Sequence, residues 1–101
     1  ITFKNVTVAG SGVLGYQIAF QTAFYGFNVT VYDINDEVLE KAKAKFDILA
    51  ESYKKDLKAT EEQLAATKAN LQYNSNLAEA VQDADLLIKA VLYSFKSSIS
   101  C

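Results

Sequence analysis

The run Val6-Thr7-Val8-Ala9-Gly10-Ser11-Gly12-Val13-Leu14-Gly15 leaves few folds open to this chain. Val6 to Ala9 have the character of a buried strand, and Val13, Leu14, Ile18, Ala19 and Ala23 recur at the spacing of a helix packed on a sheet. The Gly-x-Gly-x-x-Gly between them therefore sits at a strand-to-helix turn. There Gly10 permits a tight turn, Gly12 lets backbone approach a pyrophosphate without a Cβ in the way, and Gly15 lets the helix lie close on the strand. Amide donors around Val13 and Leu14, together with the positive end of the helix dipole, favour an anion at that spot.

A glycine turn alone is a weak signal and needs an acidic residue ending the next strand, about twenty residues on. Asn28-Val29-Thr30-Val31-Tyr32-Asp33 supplies it: the stretch alternates, Gly26 breaks the preceding helix, and Asp33 falls 18 residues after Gly15. A carboxylate there accepts hydrogen bonds from the adenosine ribose hydroxyls and repels a 2′-phosphate. Ile34 brings no guanidinium to hold one, so NAD is favoured over NADP. The plain alternative makes the glycines only a tight turn and Asp33 a solvated strand end; it leaves the agreement of context, spacing and acid to coincidence.

With 101 residues the chain is long enough for one core and short for a cofactor lobe plus a substrate lobe. A net charge of -2 without a basic cluster argues against nucleic acid and anionic membrane surfaces, and no transmembrane run or signal peptide is visible. A cytoplasmic protein is the expectation. The single cysteine, Cys101, makes no internal disulfide, and with no histidine the chain has no imidazole for acid/base work or metal binding. No residue is assigned a catalytic or metal-binding role. Ile1 in place of methionine suggests trimming or missing residues at the start.

Taken in order, Phe3 to Ala9 read as strand one, Val13 to Tyr25 as a helix and Asn28 to Asp33 as strand two. Asn35 before Asp36 and Glu37 opens a long second helix, with Leu39, Ala42, Phe46, Leu49, Ala50, Tyr53 and Leu57 on one face. Its lysines, Lys54 and Lys55 among them, read as a solvated face. Thr60-Glu61-Glu62-Gln63 is a capping box, so a separate helix runs from there to about Asn70. Strand three follows at Leu71 to Asn74, a short helix at Leu77 to Asp83, and strand four at Leu86 to Val91. The fold class is α/β: a truncated Rossmann-type, mostly parallel sheet in order 3-2-1-4, with a helical hairpin inserted before strand three. Strand four would form an open edge and part of one sheet face would be bare, which favours association between chains.

These motifs resemble the bacterial 3-hydroxybutyryl-CoA dehydrogenases, within the 3-hydroxyacyl-CoA dehydrogenases. The resemblance rests on Val6 to Gly15 with Gln17-Ile18-Ala19, on Val31-Tyr32-Asp33 with Leu39 and Ala42, and on the hairpin before Tyr73. Leu77-Ala78-Glu79-Ala80-Val81 ahead of Ala84-Asp85 extends it to about residue 91. It implies NAD held at the glycine turn, Asp33 and Ile34 at the adenosine, and Ala90 and Val91 beside the cofactor. The reaction it implies is reversible hydride transfer between NAD and the 3-hydroxyl carbon of a short acyl-CoA. The family's general acid/base histidine and its glutamate match nothing in this chain. An acidic residue is usual in the family where Lys89 stands, as is an acidic pair near Leu92 and Tyr93. Residues 1–91 are accordingly expected to be an incomplete NAD-binding domain, and residues 92–101 a divergent tail left by truncation or a frame shift.

The leading reading is the NAD(H)-binding portion of a 3-hydroxyacyl-CoA dehydrogenase, catalytically incomplete alone, with an acyl-CoA substrate only in a full-length relative. The alternative is a non-enzymatic nucleotide-binding or self-associating fragment, a homo-oligomer through its open edge or bare face. A methyltransferase or flavoprotein would share the glycine turn.

Overall fold

The computed structural model describes residues 4–10 and 12–89. In chain order the elements are β1 (Asn5–Ala9), α1 (Val13–Phe24), β2 (Asn28–Tyr32), α2 (Asp36–Asp56), α3 (Glu61–Ala69), β3 (Leu71–Asn74), α4 (Leu77–Val81) and β4 (Leu86–Lys89). The four strands form one parallel sheet in the order β3-β2-β1-β4, as the alternation of strand and helix predicts. Phe3, Ala90, Val91 and the segment 92–101 lie outside the described residues.

Parallel pairing demands crossovers, and the helices supply them on both faces. The register pairs Val8 with Val31 and with Ile88, and Val31 with Tyr73, so one face collects Val6, Val8, Val29, Val31 and Leu71. All five are buried, beneath Ala19, Phe20 and Ala23 of α1 and Phe46 of α2. An aromatic chain joins the layers: Phe20 stacks on Phe46 with centroids 5.8 Å apart, and Phe46 meets Tyr73 of β3 at 6.1 Å.

The opposite face is built from the alternate residues and is largely polar: Asn5, Thr7, Asn28, Thr30 and Gln72. Among the described residues, α4 is its cover. The Thr7 hydroxyl, 1% exposed, donates to the Ala80 carbonyl and fastens α4 to the central strand. Beside it a cleft of about 300 Å³ runs between Thr30, Gln72, Glu79 and Asp83.

Some boundaries move from the sequence expectation. Helix α1 ends at Phe24 with Tyr25 as its cap, β2 ends at Tyr32, and α4 stops at Val81. Leu57, assigned to the inward face of the second helix, is 61% exposed. The helix has ended at Asp56, Lys58 turns the chain with φ 56°, and Ala59 takes the inward position instead. No helix among the described residues is long and apolar enough to cross a membrane.

Candidate functional site

Everything singled out at the glycine turn converges on the C-terminal end of the sheet. Gly10 follows β1 with φ 101°, and its N–H donates to the Tyr32 carbonyl at 2.8 Å. Asp33 comes directly after Tyr32, so that one hydrogen bond brings the turn and the acid side by side. The Asp33 carboxylate is half-buried and accepts a long bond, 3.4 Å, from the Asn35 N–H, which leads the chain into α2. Ile34 stands outward, 81% exposed.

Gly12 is the N-cap of α1, with φ -72° and ψ -166°, a conformation any residue adopts. A Cβ built there meets nothing within 4 Å. Neither backbone strain nor internal packing asks for glycine at this position; a group lying against the turn from outside would. Gly15, in the first turns of α1, is buried.

The other helices show what α1 lacks. Asn35 caps α2, Thr60 caps α3 and Asn76 caps α4, each accepting a backbone N–H, and each of these helices carries acidic residues in its first turn. Helix α1 has no side-chain cap and no acid in its first turn, and its hydrogen-bond ladder opens with Tyr16 N–H to the Gly12 carbonyl at 3.0 Å. The first amides of α1, at Val13, Leu14 and Gly15, are the donors an α-helix cannot pair within itself. Among the described residues the positive end of the dipole therefore has no capping side chain or first-turn acid, the setting that favours an anion from outside.

A cleft of about 360 Å³ opens against this end of the sheet, lined by Ala9, Gly10, Tyr32, Asp33 and Ile34. Leu77, Leu87 and Lys89 complete its walls. The first group contains three of the residues named from sequence; the second was not assigned to the site. Leu77 opens α4, while Leu87 and Lys89 share the parity of Thr7 and Ala9 on β4 and therefore the same sheet face. For Leu87 and Lys89 the signal is the expected strand order joined to that register. Ala90 and Val91 fall outside the described residues.

An apolar cleft with one carboxylate at its rim, beside a helix N-terminus without a side-chain cap, matches the needs of a nucleoside joined to a pyrophosphate. The family model described as 3-hydroxyacyl-CoA dehydrogenase, NAD binding domain, matches residues 5–98. A probable 3-hydroxyacyl-CoA dehydrogenase of Caenorhabditis elegans is 33% identical over 93 residues, which cover 88% of this chain and 31% of that protein. Among solved structures, a diketoreductase superposes with a TM-score of 0.87 at 46% identity, covering 98% of this chain and 36% of that one. The 3-hydroxybutyryl-CoA dehydrogenase of Escherichia coli superposes at 0.81 with 29% identity, covering 98% and 21% respectively. The chain spans about a third of the length of the curated relatives it matches. It belongs to the NAD-binding domain family of the 3-hydroxyacyl-CoA dehydrogenases.

Proposed function

We propose that residues 1–91 hold NAD(H) with the pyrophosphate on the backbone of Gly10, Gly12, Val13, Leu14 and Gly15, and with Asp33 on the adenosine ribose. Ile34 packs beside the adenosine, and Ala90 and Val91 flank the cofactor further along. The observation that carries this reading is Gly12: an ordinary conformation and open space around its missing Cβ, at the uncapped start of α1. Bound NAD would supply a hydride acceptor. The chain's own part is to orient it, since its sequence holds no histidine to move the proton.

The activity proposed for a longer protein built on this domain is hydride exchange between NAD and the 3-hydroxyl carbon of a short acyl-CoA, a step of fatty acid metabolism. Residues 92–101 are read as a divergent tail and the setting as cytoplasmic. Self-association through β4 belongs to the same reading, supported by Leu86 and Leu87, 43% and 39% exposed on a strand that has one described neighbour.

The test is calorimetric titration of NAD, NADH and NADP into the chain, with its mass followed by light scattering. NADH is expected to bind more tightly than NADP, and Asp33→Ala to abolish most of that binding. A folded sample that takes up no NADH refutes the reading, and a mass that stays monomeric at every concentration refutes the self-association.

A further inference from the structure

The end of β4 brings a cation into the cleft that carries Asp33. Lys89 pairs with Ala9, and Ala9 pairs on its other side with Tyr32. Thr7, two residues before Ala9, turns its hydroxyl to Ala80 of α4, so by strand alternation Ala9, Tyr32 and Lys89 all face the α4 side. Ala9 is the smallest of the three. A notch therefore opens over it, between Tyr32 and Lys89, whose Cα atoms stand about 10 Å apart across two strand spacings. Leu77 and Ile34 wall it, and Asp33 lies at its rim. Lys89 is exposed and makes no ion pair among the described residues.

We propose that Lys89 is a specificity residue of this site: its ammonium offsets the Asp33 carboxylate and softens discrimination against a 2′-phosphorylated dinucleotide, so that NADPH is a second, weaker ligand. The proposal rests on the reading of the cleft as the adenosine site. A 2′-phosphate adds about 1.5 to 2 negative charges beside the ribose. An acid at the end of β2 repels it, and that repulsion is the usual basis for choosing NAD. A lysine in the same cleft cancels part of the repulsion, and the apolar walls formed by Ile34, Leu77 and Leu87 make each charge count for more than in open water. The flexible four-carbon stem lets the ammonium follow a phosphate without fixed geometry. NADH lacks that third phosphate and gains correspondingly less.

The experiment is fluorescence titration of NADH and NADPH into the wild-type chain, Lys89→Gln and Lys89→Glu at low and high salt. Lys89 is exposed, so neither substitution disturbs the core. NADPH is expected to bind the wild-type measurably, to weaken roughly fivefold in Lys89→Gln and further in Lys89→Glu, as removal of one partly screened charge contact predicts. NADH is expected to move less than about twofold, and the widened ratio to shrink at high salt. A ratio that does not change, through no effect or through equal losses for both ligands, overturns the proposal, as does a wild-type chain that binds NADH and not NADPH. A folded wild-type chain that binds neither overturns the adenosine-site reading as well, and the wild-type NADH titration alone tells that failure apart.

Discussion

At Gly10 the backbone takes φ 101°, while two residues on, at Gly12, it takes φ -72° with open space where a side chain would go. The fold asks for glycine at the first position; at the second only the proposed approach of a pyrophosphate does. Gly10→Ala forces a Cβ into a conformation that L-residues avoid and is expected to cost about 1–2 kcal/mol in urea denaturation. Gly12→Ser places a good capping residue at the start of α1, so stability is expected to hold or rise by a few tenths of a kcal/mol. Its side chain also fills the approach to the turn, so NADH binding is expected to fall by about tenfold, near 1.4 kcal/mol. A Gly12→Ser variant that binds NADH like the wild-type would remove the argument from the open Cβ position.

Helix starts were the most legible elements because capping is local chemistry. At α3 the Gln63 N–H donates to Thr60 Oγ1 at 3.1 Å and the Thr60 N–H to Gln63 Oε1 at 2.8 Å, the reciprocal pair that Thr60 and Gln63 announce three residues apart. Thr60→Ala is expected to cost about 1 kcal/mol, read by chemical denaturation, because α3 anchors buried Leu64 and Thr67. Strand three, only four residues long, is legible too, since Leu71 and Tyr73 alternate with Gln72 and Asn74. What the sequence hid is what depends on a second element. Phe20 is not among the inward residues expected of α1 and is fully buried; its spacing of seven from Val13 and three from Ala23 does put it on that side, and what the sequence does not show is that it stacks there on Phe46 of α2. Leu57 fits the periodicity of α2 and is exposed, because periodicity does not announce where a helix stops. The expected order 3-2-1-4 already sets β4 beside β1, but Lys89 and Leu87 become cleft residues only with the register that pairs them with Ala9 and Thr7.

Over the whole molecule, Asp85 ties the two ends of the described chain together. Its Oδ2 accepts the Lys4 and Asn5 N–H groups, both at 2.9 Å, and its own N–H donates to the Asn5 carbonyl at 2.7 Å. The bond from Asn5, then that from Lys4, holds the Asp85 carboxyl below its ordinary value of 3.8. Because folding favours the charged form, this contribution to stability is present above the unfolded value and lost as pH falls through the lowered folded one. Urea denaturation from about pH 7 down to about pH 2 is expected to show Asp85→Asn less stable than the wild-type at neutral pH, with the gap closing in acid. A gap of constant size would show that the charge is immaterial. The same geometry has a consequence for synthesis. Of the described strands β1 is made first and lies inside the sheet, yet its two neighbours are residues 28–32 and 86–89. At about 5–20 residues per second a ribosome needs roughly 3 to 10 s to travel from the end of β2 to the start of β4. For those seconds one side of β1 is without the strand that will close it, and a nascent neighbour on the same message carries the same exposed strand. How often the wrong copy is met then depends on the pace of translation, whatever the stability of the finished domain.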